Sequence, residues 1–190
     1  MLKSILILAS MIMMLNVDNP VYANDKSRYY DQEKGFSIQL PKNWQVRANF
    51  KGIALIAFSP KENKNDFFHE NISVLTHEIP KKVGIENYFY INTQELKRLV
   101  KNYKEIDRGK TTINKIKSKW IVYQGTIANR SVKIIQYFII HNNHGYIITG
   151  TAQVNSFPKY KSLFKQLSQT FMIGKEKKHD NLNQIPEWIR

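Results

Sequence analysis

Residues 132–140 constrain the fold of this 190-residue chain more than any other segment. Both alternating sets of side chains there are apolar: Val132, Ile134, Phe138 and Ile140 on one side, Ile135, Tyr137 and Ile139 on the other. A strand with one wet face alternates apolar and polar residues, whereas a strand apolar on both sides must be covered on both. Residues 132–140 are therefore predicted to be a central strand lying between two layers.

Two segments of helical period can supply those layers. In residues 86 to about 102, Phe89, Leu96, Leu99, Val100 and Tyr103 recur at helical spacing, with Lys97, Arg98 and Lys101 on the other side. Glu86 stands early and the cations late, as the helix dipole favours. From residue 157 to about 171, Phe157, Tyr160, Leu163, Phe164, Leu167 and Phe171 form one stripe. Ser156 is placed to cap that helix, and Pro158 is tolerated in its first turn.

The rest of the sheet reads from period two. Residues 35–40 alternate and stop at Pro41, residues 53–58 form an apolar run, and residues 71–79 alternate again, together predicting a three-stranded meander. Residues 116–128, 131–141 and 145–152 are predicted to pair as consecutive antiparallel hairpins, because the turns at 128–131 and 141–145 carry Asn and Gly where positive φ is needed. The class expected is α+β: an α/β/α sandwich with a mainly antiparallel sheet of six to seven strands and helices on both faces. Trp44 and Trp120 are expected to be mostly buried.

The chain ends carry their own signals. Lys3 precedes an apolar run over residues 5–15, softened only by Ala9 and Ser10, and a polar stretch closes on Val21-Tyr22-Ala23. That run is about 11 residues, against about 20 for a bilayer-spanning helix, so residues 1–23 read as a cleavable signal peptide and the mature chain as starting at Asn24. The expected organisation is a short N-terminal segment over 24–34, one domain over 35–173 and a flexible tail over 174–190, in a protein exported to a periplasm or the extracellular space. With no Cys, disulfides, thiol catalysis and thiolate metal sites are excluded.

The sequence holds 29 Lys and Arg against 15 Asp and Glu, a formal charge of +14 that favours anionic partners. The excess is spread along the chain rather than gathered into a basic arm, so a solvated Lys-biased surface is preferred to a dedicated binding face, and specific nucleic-acid recognition is not expected. Lys97, Arg98, Lys101 and Lys104 are the candidates for an anion-binding surface. No Gly-x-Ser-x-Gly elbow or phosphate-cradling glycine loop occurs. His141 and His144 flank a two-Asn turn and are the weak candidates for metal ligands; lacking an evident third ligand, they read instead as exposed at the mouth of a primed turn. No cofactor is expected. At the C-terminus, Ile185, Trp188 and Ile189 follow a polar run and are candidates for docking on a partner, or for packing back on the domain.

Several stretches together resemble a known family: residues 35–44 (Gly-Phe-Ser-Ile-Gln-Leu-Pro-Lys-Asn-Trp), Asn71-Ile72-Ser73-Val74, Gly145-Tyr146-Ile147-Ile148-Thr149, and the closing helix ending at Phe171. In this order, with a helix between the third and fourth strands, they resemble the PsbP-like domains, whose fold is shared with a Ran-binding Mog-type regulator. The resemblance implies an antiparallel sheet between helices and a non-catalytic binding or assembly role. It transfers no site residue. The function expected is an exported, non-enzymatic PsbP-like accessory domain acting on an envelope or extracellular protein partner; the alternative is a basic surface that binds an anionic polymer or membrane.

Overall fold

The computed structural model describes residues 21–22, 28–64 and 66–174. The signal-peptide assignment, apart from Val21 and Tyr22, and the tail from residue 175 onward lie outside the described residues. The elements are β1 (Val21–Tyr22), β2 (Arg28–Asp31), β3 (Phe36–Gln39), β4 (Gln45–Phe50), β5 (Ile53–Phe58), β6 (Asn71–Glu78), α1 (Ile85–Leu99), β7 (Lys101–Ile113), β8 (Ile116–Ile127), β9 (Arg130–His141), β10 (His144–Gln153), α2 (Phe157–Gln169) and β11 (Met172–Ile173).

The main sheet runs β1-β4-β5-β6-β10-β9-β8-β7, with every neighbouring pair antiparallel. β9 is interior, as its two apolar faces require. Ile135, Tyr137 and Ile139 join the core beneath α2, with Phe157, Phe164 and Leu167 from that helix. Val132, Ile134 and Phe138 face the other way and pack with Tyr88, Phe89 and Leu96 of α1. The result is the expected α+β sandwich with one helix on each face.

Three tight turns close the hairpins of β7 to β10. Asn114 and Lys115 have φ of 44° and 67°, Ala128 and Asn129 46° and 61°, and Asn142 and Asn143 47° and 60°. Two consecutive positive φ values define the type I′ turn, whose twist matches that of the paired strands.

Several expectations need correction. β3 is not part of the main sheet: it sits in a second sheet of order β11-β3-β2, and the meander is β4-β5-β6. Within the N-terminal segment, β2 pairs with β3, and Arg28 donates to Ser37 Oγ and the Thr170 carbonyl, both at 3.0 Å. This small sheet belongs to the α2 side, where Phe36 stacks on Phe171 at 5.5 Å. Helix α1 stops at Leu99, and Tyr103, Lys101 and Lys104 belong to a strand of 13 residues. Leu99 is exposed, and Tyr88 fills the buried stripe instead. Ser156 takes the N-cap position of α2 as expected, but its side chain does not bond the helix: the hydroxyl donates to Glu70 Oε1, a buried carboxylate that also accepts from Ser59 Oγ at 3.4 Å. Trp44 is buried, but Trp120 is only half-buried, lying across Gly109 of the adjacent β7.

Candidate functional site

The four cations grouped in the sequence do not share a face. Lys97 and Arg98 occupy the last turn of α1, where Arg98 pairs with Glu95 at 2.6 Å. Lys101 and Lys104 lie on β7 opposite Thr126 and Gln124. Gln124 shares its side of β8 with Trp120 and Val122 by the period of two, so Lys104 projects from the α2 face, across the sheet from Lys97.

A different set of cations is brought together on the α1 face. Lys110 stands directly opposite Lys119, Thr112 opposite Lys117, and Arg108 opposite Ile121, whose side chain is in the α1 core. Arg108, Lys110, Lys117 and Lys119 therefore cluster beside the first turn of α1. Glu86 is the carboxylate among them, taking an ion pair from Lys119 and another from Lys110 at 3.3 Å. The Lys119 hydrogen bond is the main cause that holds the Glu86 carboxyl below its ordinary range, with Lys110 adding to it. Arg108 pairs with Glu105, which is lowered chiefly by that hydrogen bond while Arg108 is raised by it.

Phe89 explains how the cluster is held. Its buried ring meets Phe138 edge-on at 5.2 Å and is covered by Lys119 Nζ at 4.5 Å and the Arg108 guanidinium at 5.6 Å. Stacking on an aromatic face lets a cation stay hydrated on its other side. The whole β7–β8 hairpin holds seven basic residues (Lys101, Lys104, Arg108, Lys110, Lys115, Lys117 and Lys119) against two acidic ones, Glu105 and Asp107. The spacing of Lys117 and Lys119, two apart on a strand, was the available signal for this face. Its partners on β7 were hidden because that strand has no apolar alternation.

The remaining candidates are placed as follows. His141 and His144 form one rung of the β9–β10 ladder, both half-buried, with His144 Nδ1 at 3.1 Å from the Asn142 carbonyl. Glu78 is opposite His144 on β6, yet among the described residues no group of three or more His, Asp or Glu could hold a metal ion. Ile185, Trp188 and Ile189 lie outside the described residues. On the α2 side, Glu62 accepts from Lys159 Nζ at 2.6 Å and Tyr160 Oη at 2.9 Å, tying the loop after β5 to the start of α2. Burial, with Glu62 assisting, pushes the Tyr160 hydroxyl well above its ordinary range. These contacts are structural pins.

A sheet with a helix on each face, a second small sheet under one helix and a charged outer strand defines the class of fold. It is the PsbP/Mog1-like fold. The chain is similar to LpqN of Mycobacterium tuberculosis, described as involved in cell envelope biogenesis (TM-score 0.61, 10% identity, 82% of this chain and 90% of that one). It is similar to the cyanobacterial PsbP, CyanoP, of Synechocystis sp. PCC 6803 (TM-score 0.59, 14% identity, 83% and 98%). It is also similar to the Ran-binding protein Mog1p of Saccharomyces cerevisiae (TM-score 0.56, 10% identity, 78% and 95%). No family model matches the sequence, and no curated protein sequence matches it.

Proposed function

We propose that this chain is an exported, non-catalytic binding domain that acts on an envelope or extracellular protein partner through the basic β7–β8 edge of its sheet. The observation that carries this is the edge itself: β7 ends the strand order, and Arg108, Lys110, Lys117 and Lys119 gather on one face of its hairpin with Glu86 between them. The leader-like residues 1–23 support export. The description of LpqN as involved in cell envelope biogenesis and of Mog1p as Ran-binding supports a domain that works by association. Ile185, Trp188 and Ile189 are proposed as a second contact, and Lys97, Arg98, Lys101 and Lys104 as flanking charge.

The test is binding of the purified chain to its native envelope, intact or stripped with protease, at low and moderate salt. A protein partner predicts that protease abolishes binding and that moderate salt weakens it only in part. Binding that survives protease and collapses steeply with salt would instead indicate an anionic polymer or membrane, where affinity comes from counterion release.

A further inference from the structure

The β7 edge has a backbone polarity that can be read residue by residue. A two-residue type I′ turn is closed by a pair that exchanges both of its main-chain hydrogen bonds, here Ile113 and Ile116. The register from Ile113 back to Asp107 is unbroken, and the irregularity lies beyond it, between Glu105 and Asp107. Hydrogen-bonding direction alternates along a strand, so Ile113, Thr111, Gly109 and Asp107 bond to β8. Arg108, Lys110 and Thr112 aim their N–H and C=O groups at the open side; there the Arg108 N–H is held by Asp107 Oδ1 at 2.9 Å, so the donors an added strand would meet are those of Lys110 and Thr112. Arg108, Lys110 and Thr112 also carry their side chains on the α1 face, next to Lys117 and Lys119.

We infer that this stretch receives an extended acidic segment of a partner protein as an added antiparallel strand, bonded to the main chain of Arg108, Lys110 and Thr112. A residue opposite each of these three lies on the α1 face, where Arg108, Lys110, Lys117 and Lys119 outnumber the two carboxylates Glu86 and Glu105. The favoured segment therefore has Asp or Glu at alternate positions, with uncharged residues between them facing Asp107, Gly109 and Thr111. The cations there already take carboxylates from the chain itself, at Glu86 and Glu105. Those ion pairs are partly exposed, and exposed pairs are weak enough to be exchanged for a partner's. A second copy of the chain fits poorly: antiparallel pairing centred on this stretch sets Lys110 against Lys110, and like charges directly opposite are destabilising. Strand addition on an open edge is an established way for a domain to take a peptide, with main-chain bonds giving affinity and alternate side chains giving selectivity.

This inference rests on the protein-binding role proposed for the edge, but its test uses no envelope component, so each can fail alone. The probes are a short capped peptide alternating Glu with Val or Thr, the same peptide N-methylated on alternate amides, and polyphosphate, titrated against the purified chain. The variants are Thr112→Pro, which removes an outward donor without changing charge, and Lys110→Gln with Lys117→Gln. The alternating peptide is expected to bind, N-methylation and Thr112→Pro to weaken it by about tenfold or more, and the Lys pair to weaken it too. Polyphosphate binding should be unchanged by Thr112→Pro. If Thr112→Pro lowers the denaturation midpoint, the N-methylated peptide decides the question, since it leaves the protein untouched. Equal binding of the N-methylated peptide, binding of polyphosphate alone, or no peptide binding would overturn the inference.

Discussion

Trp44 is 4% exposed, with its ring edge-on to Phe164 at 6.5 Å and tilted against Tyr160 at 6.3 Å. It joins the turn after β3 to α2, so one side chain ties the small sheet to the helix above the large one. Trp44→Ala should cost about 3–5 kcal/mol, the usual range for emptying a buried aromatic site, read as a lower denaturation midpoint with unchanged slope. His77 tests the other face. Its Nε2 lies 3.3 Å from the Tyr88 hydroxyl, its Nδ1 is buried without a hydrogen-bond partner, and burial, with His144 adding to it, lowers its pKa from 6.5. Below pH 6.5 the unfolded chain therefore binds the proton more readily than the folded one, so this contribution to stability is present above pH 6.5 and is lost as pH falls. Denaturation midpoints measured from pH 7.5 downward should decline in that window, and His77→Gln should flatten the decline. An unchanged slope would remove His77 as its cause.

Gly125 and Val100 show how one element enters another. Helix α1 ends at Leu99, and Val100, with extended φ and ψ of −84° and 115°, turns the chain directly into β7. A Cβ at Gly125 on β8 would lie 2.2 Å from Val100 Cγ1, so the entry needs a residue without a side chain there. Gly125→Ala should destabilise by about 1–3 kcal/mol through overpacking, seen as a lower midpoint in thermal or urea denaturation; a wild-type midpoint would mean that this junction yields freely. The same junction was not legible in the sequence. Leu96, Val100 and Tyr103 keep helical spacing across it, and β7 mixes charged and polar residues without a period because an edge strand faces water. The Asn114-Lys115 turn was concealed because the strand before it has no apolar alternation to mark it. β9 was legible because burial on both faces leaves an unambiguous pattern, and the Asn-rich turns beside it because their positive φ favours Asn. The separate small sheet was not, since the alternation of residues 35–40 is the same whichever sheet a strand joins. The candidate site follows the same logic: the sequence points to Lys97, Arg98, Lys101 and Lys104, and only the β7–β8 register reveals the different set, Arg108, Lys110, Lys117 and Lys119, that gathers around Glu86.

At the scale of the whole molecule, a charge of +14 and a leader-like N-terminus set the expected setting, and the open basic edge sets the expected contact. If residues 1–23 are removed on export, N-terminal sequencing of the secreted form should begin at Asn24; an intact Met1 in a membrane fraction would contradict export by cleavage. The two-residue β1, which pairs with Val46 and Gln45, would leave with the leader and make β4 the opposite edge of the sheet. The most direct measurement is amide hydrogen exchange on the mature chain, free and bound to its native envelope. The account predicts new protection on binding at Lys110 and Thr112, with residues 114–119 changing less and the α2 face unchanged. Protection confined to the C-terminal residues 185–190, or none on β7, would contradict it.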